Sequence, residues 1–221
     1  MDTREVRRIY DRLAGRYDLL VAVSVWVALR RLRAGHVARA RGRVLEVAVG
    51  TGANLRHYPR GLRPAAVDAS TAMLARARRR ARALGVAVDF AAADAEALPF
   101  ADARFDGVVS TLSVCTFPDP IRALREMSRV CRPDGRIFLL EHGRSDRGWL
   151  GRWQDRAEAR SVARMGCHPN REPLELARRA GLGIVGARRT LLGIVHVIEA
   201  TPAIAATPAP SGLVDRLSLS P

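Results

Sequence analysis

One segment constrains this chain more than any other. Val44-Leu45-Glu46-Val47-Ala48-Val49 runs into Gly50-Thr51-Gly52-Ala53-Asn54, and a second apolar run, Ala65-Ala66-Val67, ends in Asp68-Ala69-Ser70. Strand, glycine turn, helix, strand and then an acid is how an α/β sheet builds a nucleotide-type site. The glycines admit backbone conformations and close approaches that a Cβ would block. The acid offers its lone pairs to a ribose diol.

What the turn lacks narrows the ligand. A dinucleotide fingerprint places a small residue three positions beyond the second glycine, where Leu55 stands, and no Gly-Lys-Ser/Thr follows to cradle phosphates. Glu46, on the strand before the glycines, is ill placed for a pyrophosphate and well placed for a cation. S-adenosylmethionine, with an ammonium, a sulfonium and no phosphate, suits this pattern better than a dinucleotide does.

The chain has 221 residues, enough for one domain with its own core. Its net charge is +15, and all 37 basic residues are arginine. Arginine-rich faces attract the phosphates of nucleic acid or anionic lipid, but aromatics are only 5%, too few for base-stacking surfaces. Cys115, Cys131 and Cys167 are widely spaced and odd in number, so neither a disulfide framework nor a zinc cluster is expected, and no metal. Met1 to Asp18 lacks a signal pattern, and a cytoplasmic location is expected. Leu19 to Leu29 is apolar, too short to span a bilayer, and closed by Arg30, Arg31 and Arg33. It reads as a helix packed on the domain or capping the ligand. The alternative is a helix on an anionic membrane surface, anchored by Trp26 and the arginines.

Hydrophobic periodicity predicts a charged helix over residues 2–17, with strands at 43–49, 65–67, 86–91, 105–111 and 136–141. Helices are predicted from Ala53, over 71–84 between Ser70 and Gly85, and over 119–130, 149–165 and 171–180. The last two runs, 183–189 and 194–201, are joined too tightly for a parallel crossover and must form a hairpin. The expected architecture is α/β: a doubly wound, mostly parallel seven-stranded sheet ending in an antiparallel hairpin. Residues 1–34 read as a helical lid, 35–201 as the ligand-binding domain and 202–221 as a disordered tail.

Five further segments make the pattern specific: Tyr10-Asp11-Arg12-Leu13-Ala14 with Tyr17-Asp18; Glu46 to Gly52; Asp94-Ala95-Glu96-Ala97-Leu98-Pro99-Phe100; Phe105-Asp106; and Arg129 to Gly135. With them the chain resembles the class I S-adenosylmethionine-dependent methyltransferases over about residues 8–200. It is similar to the group holding quinone C-methyltransferases, bacterial phosphatidylethanolamine N-methyltransferases and alkyl thiol methyltransferases. Ala48 departs from the pattern, which usually has glycine there.

The resemblance implies that Glu46 and the Gly50-Thr51-Gly52 backbone hold the methionine end of the donor. It implies ribose recognition by Asp68, adenine packing on Ala69, and adenine-edge recognition by Asp94 with Ala95. Ser110 and Thr111 would lie at the ligand crevice, and Tyr17 would close over the donor as a lid. Asn54 with Tyr58-Pro59, Leu140-Glu141-His142, and Gly166-Cys167 with Asn170-Arg171-Glu172 resemble the thiol and small-lipid branch. If the acceptor must lose a proton, His142 is the candidate base and Glu141 a candidate to orient a substrate amine. Cys167-His168 is discounted as a nucleophile pair, since adjacent residues rarely face each other.

The expected function is methyl transfer from S-adenosylmethionine to a small, largely apolar acceptor: a quinone, lipid amine, thiol or secondary metabolite. RNA methylation is the runner-up, motivated by the arginines. Against it, Ser110-Thr111-Leu112-Ser113 replaces the Asn/Asp-Pro-Pro-Tyr/Phe motif used on bases. A non-catalytic binding protein ranks last.

Overall fold

A computed structural model describes residues 1–17 and 29–203. In chain order these hold α1 (Thr3–Leu13), a helical stretch over 29–37, β1 (Val44–Val47), a 3₁₀ turn (Leu55–His57), β2 (Ala65–Asp68), α2 (Thr71–Leu84), β3 (Asp89–Ala92) and β4 (Phe105–Thr111). Then follow α3 (Pro120–Val130), β5 (Cys131–His142), α4 (Gly148–Met165), α5 (Pro173–Arg179), β6 (Gly183–Thr190) and β7 (Val195–Thr201).

Seven strands form one sheet in the order β3-β2-β1-β4-β5-β7-β6. The first five run parallel, and β7 pairs antiparallel with both β5 and β6. This is the α/β architecture expected from the sequence. Successive strand residues point to opposite faces, so each strand feeds two cores. Leu45, Val47, Val108 and Leu139 pack with Leu124 and Met127 of α3 on one side. Val44, Ala66, Val109 and Phe138 pack with Leu74 and Ala77 of α2 on the other. Burial on both faces is why the central strands read as continuous apolar runs.

Local chemistry sets the element ends. Asp2 and Glu5 form a reciprocal capping box that starts α1. Ser70 caps α2 through Met73 N, and Gly85 ends it at φ 65°. Two expectations need correction. No helix follows Ala53; only the 3₁₀ turn forms, because Pro59 forces Tyr58 into an extended conformation (ψ 147°) and Asn54 is committed elsewhere. β5 begins early, with Cys131 pairing to Phe105 before the ladder resumes at Gly107 and Arg136. The apolar segment with Trp26, and the tail from 204 onward, lie outside the described residues. Among the described residues, no helix is long and apolar enough to cross a membrane.

Candidate functional site

The strand order reverses between β1 and β4, and ligands of open α/β sheets bind at such switch points, outside the carboxyl ends of the strands. A cleft opens there. Its floor comes from the turn after β1 (Ala48, Val49, Gly50, Thr51), the end of β2 (Asp68, Ala69) and the loop after β3 (Asp94, Ala95). Tyr10 and Tyr17 close one side, their ring centroids 5.9 Å apart. Nine expected ligand residues therefore line one cavity among the described residues: Tyr17, Ala48, Gly50, Thr51, Asp68, Ala69, Asp94, Ala95 and Thr111.

Asp68 is the pivot. Its Oδ2 accepts from Gly50 N and its Oδ1 from Ser70 N, each at 2.8 Å. Those bonds fix the carboxylate and leave further lone pairs for a diol. Burial pushes its pKa up to about 6, against the lowering effect of the two amides. Gly50 has φ 54° and open space where a Cβ would stand, so the backbone itself faces the ligand. Asp94 accepts from Glu96 N at 2.9 Å, which orients the loop that brings Ala95 into the wall. Burial raises the Tyr17 hydroxyl to about 12, so it remains a donor at physiological pH.

Four expected residues stand behind the wall instead of in it. Gly52 packs on the core side, where a Cβ would meet Leu55 Cδ1 at 2.8 Å and Ala77 Cβ at 3.3 Å. Glu46 is fully buried, and its oxygens accept from Asn54 Nδ2 and Tyr58 OH, both at 2.9 Å. Burial drives its pKa up to about 7. It therefore reaches the cleft through Asn54 and does not meet a ligand ammonium directly. Ser110 lies within bonding distance of Ser113 Oγ and 3.4 Å from a Glu141 oxygen, out of the cleft.

Arg33 is a cleft-lining residue that the sequence reading did not single out as a candidate. It read as the basic end of an apolar segment, yet its NH1 donates to Asn54 Oδ1 at 2.8 Å and Thr111 Oγ1 at 3.0 Å. It lines the cleft beside Thr51 and Thr111. No local signal separates it from Arg30 and Arg31, because its role arises only when the helical stretch packs over β1 and β4.

The two candidate catalytic residues have other duties. Glu141 is fully buried, with Oε2 accepting from Ser113 N (2.7 Å) and Val114 N (3.1 Å) and Oε1 from Ser113 Oγ (3.2 Å). Burial raises its pKa to about 7. It holds the loop after β4 and does not line the cleft, so it is not presented to an amine there. His142 Nε2 lies 3.1 Å from Cys167 Sγ, so its ring is engaged and not presented to an acceptor. His168, the sequence neighbour of Cys167, turns away to Glu158 at 2.9 Å.

The residues present fit S-adenosylmethionine. Asp68 has lone pairs that could accept from ribose hydroxyls, the Gly50 backbone leaves room for close approach, Val67, Met73 and Ala95 would give adenine apolar neighbours, and Arg33 would present a cation to a carboxylate. A site of this kind, at this switch point, defines a nucleoside-binding class I fold.

Comparison with known proteins carries the assignment further. Residues 45–139 match the family described as "Methyltransferase domain". A phosphatidylethanolamine N-methyltransferase of Cereibacter sphaeroides is 38% identical over 170 residues, which cover 76% of this chain and 82% of that protein. A demethylmenaquinone methyltransferase of Thermus thermophilus is 39% identical over 150 residues, 65% of this chain and 68% of the relative. A Thermotoga maritima S-adenosylmethionine-dependent methyltransferase, described as a possible histamine N-methyltransferase, superposes with TM-score 0.68 at 26% identity over 88% of this chain and 99% of that one. The chain belongs to the class I S-adenosylmethionine-dependent methyltransferases.

Proposed function

We propose that this methyltransferase acts on a small, largely apolar acceptor, and that Arg33 and Asp68 grip opposite ends of the donor. The observation that carries the acceptor reading is the cleft wall beyond the donor residues. There Val6 and Tyr10 of α1 and Leu112, Phe117 and Pro118 of the loop after β4 give the lining a mainly apolar character, with Thr3, Ser113 and Thr116 as its hydroxyl-bearing members. The relatives' names, which specify a lipid amine and a quinone, agree with an acceptor of that character.

The donor supplies a methyl group on a sulfonium, already activated for transfer. The chain's part is alignment and exclusion of water. Asp68 fixes the ribose, Asp94 and Ala95 read the adenine, and Arg33 pairs with the donor carboxylate, a charge-assisted contact that Asn54 and Thr111 aim. Tyr17 and α1 cover the methyl group. With His142 bound to Cys167, no base role is assigned to it.

Peripheral contact with an anionic bilayer suits such an acceptor. Trp149 and Trp153 stand one turn apart on α4, both more than 60% exposed, among Arg147, Arg152 and Arg156. Tryptophan beside arginine is the composition of a membrane-surface helix.

Incubation of the full chain with methyl-labelled S-adenosylmethionine and anionic vesicles carrying extracted lipids and quinones tests both points. Label entering the organic phase, with protein sedimenting on the vesicles, is the expected result. Label entering added RNA, or protein left in the supernatant of vesicles it methylates, would contradict the acceptor reading or the membrane reading respectively.

A further inference from the structure

Outside the donor cleft, three soft ligands meet. Cys115 lies in the loop after β4, His142 ends β5 and Cys167 follows α4 directly, and their ligand atoms all fall within 4.8 Å of one another. Both thiols are more than nine-tenths buried. A tetrahedral Zn²⁺ with bonds of about 2.3 Å to sulfur and 2.0 Å to nitrogen needs ligand separations of roughly 3.5–3.8 Å. The ligand atoms lie within 4.8 Å of one another, and His142 Nε2 and Cys167 Sγ, now 3.1 Å apart, would need to part by only about 0.4 Å to share a metal.

Its scaffold is fixed by other bonds. His168 N donates to Cys115 O at 2.9 Å and Ser161 Oγ to Cys167 O at 2.7 Å. Arg171 NH1 donates to the carbonyls of Val114 and Phe117, on either side of Cys115. Loops from three parts of the chain are thus held together around two sulfurs and a nitrogen. None of the three side chains lines the donor cleft.

The geometry points to a binding site for one Zn²⁺, held by Cys115 Sγ, His142 Nε2 and Cys167 Sγ, with a fourth position left to solvent or a small ligand. No further His, Cys, Asp or Glu joins the group among the described residues. Two thiolates and a neutral imidazole around a divalent cation make an electrically neutral centre, which suits a buried site better than an uncompensated thiolate. Three protein ligands and an open position are the arrangement of catalytic more than structural zinc. Cys115 sits between Ser113 and Thr116, two residues of the cleft wall, so the open position adjoins the apolar end of the cleft. The site stands whether or not the acceptor reading is right.

The test strips the full chain with a chelator under a phosphine reductant, then titrates it with Co²⁺ followed by Zn²⁺. One equivalent of Co²⁺ is expected to give thiolate charge-transfer absorption in the near ultraviolet and visible bands of tetrahedral intensity, both abolished by Zn²⁺. Cys115→Ser, Cys167→Ser and His142→Gln should each weaken binding at least tenfold, whereas Cys131→Ser, buried at the start of β5, should leave it unchanged. Zinc should also raise the thermal unfolding midpoint of the wild type and not of Cys115→Ser, a readout that needs no activity. Absence of the bands in the wild type, their persistence in both Cys115→Ser and Cys167→Ser, or their loss in Cys131→Ser would overturn the proposal.

Discussion

Ala48 sits at φ 56°, in the left-handed region that costs a residue with a Cβ about 1–2 kcal/mol. It is the position where the resemblance leads one to expect glycine, a residue that adopts this φ without strain. Ala48→Gly relieves that strain and regains part of it as unfolded-state entropy, for a net stabilisation of about 0.5 kcal/mol by urea denaturation. Arg33 makes a sharper residue-scale prediction. Arg33→Ala should weaken S-adenosylmethionine binding about tenfold or more in calorimetry, the size of one charged hydrogen-bonded contact. Methylthioadenosine, which lacks the amino-acid end, should bind the variant and the wild type alike; an equal loss for both ligands would deny the carboxylate role.

At the scale of elements, the loop after β4 forms one wall of the cleft, and Glu141, near the end of β5, organises it. Removing that carboxylate leaves two buried backbone N–H groups, of Ser113 and Val114, without acceptors. Glu141→Ala should cost about 3 kcal/mol in urea unfolding, and Glu141→Gln clearly less, since an amide oxygen still accepts. Strands were legible because continuous apolar runs record burial on both faces, and Ser70 and Gly85 mark helix ends by their own chemistry. The helix expected after Ala53 was misread because Pro59 breaks the pattern. Asp68 and Asp94 could be placed from their strand ends, since the backbone alone carries them to the cleft. Glu46, Glu141 and Arg33 could not. Whether such a side chain meets ligand, loop or neighbour depends on contacts between distant segments. The meeting of Cys115, His142 and Cys167 was hidden for the same reason: their spacing follows no metal-binding pattern.

The molecule as a whole carries several buried ionisable groups, and these set its response to pH. Burial raises Glu46 from an ordinary glutamate value to about 7. A raised folded-state pKa means the native protein binds the extra proton, so this group's stability contribution is complete below about pH 4.5 and lost as pH rises through 7. His36 and His196, lowered to about 4 by burial, act in the opposite sense over about pH 4–6.5. The difference between wild type and Glu46→Gln isolates the first effect. Denaturation from pH 4 to pH 8 should show the wild type losing ground to the variant between about pH 4.5 and 7, by up to about 1.4 kcal/mol per pH unit, and levelling off above 7. A constant difference across that range would mean that Glu46 titrates normally.

The central claim, that the carboxylate at the end of β2 holds the donor's ribose, is tested most directly by calorimetric titration of S-adenosylmethionine into the full chain and into Asp68→Asn. The wild type should bind one equivalent, with affinity rising as pH increases through about 6, where Asp68 ionises. Asp68→Asn should bind about 10- to 100-fold more weakly and without that pH dependence, as expected when two hydroxyl donors lose a charged acceptor. Equal affinity for the donor in both proteins, at every pH, would contradict the account.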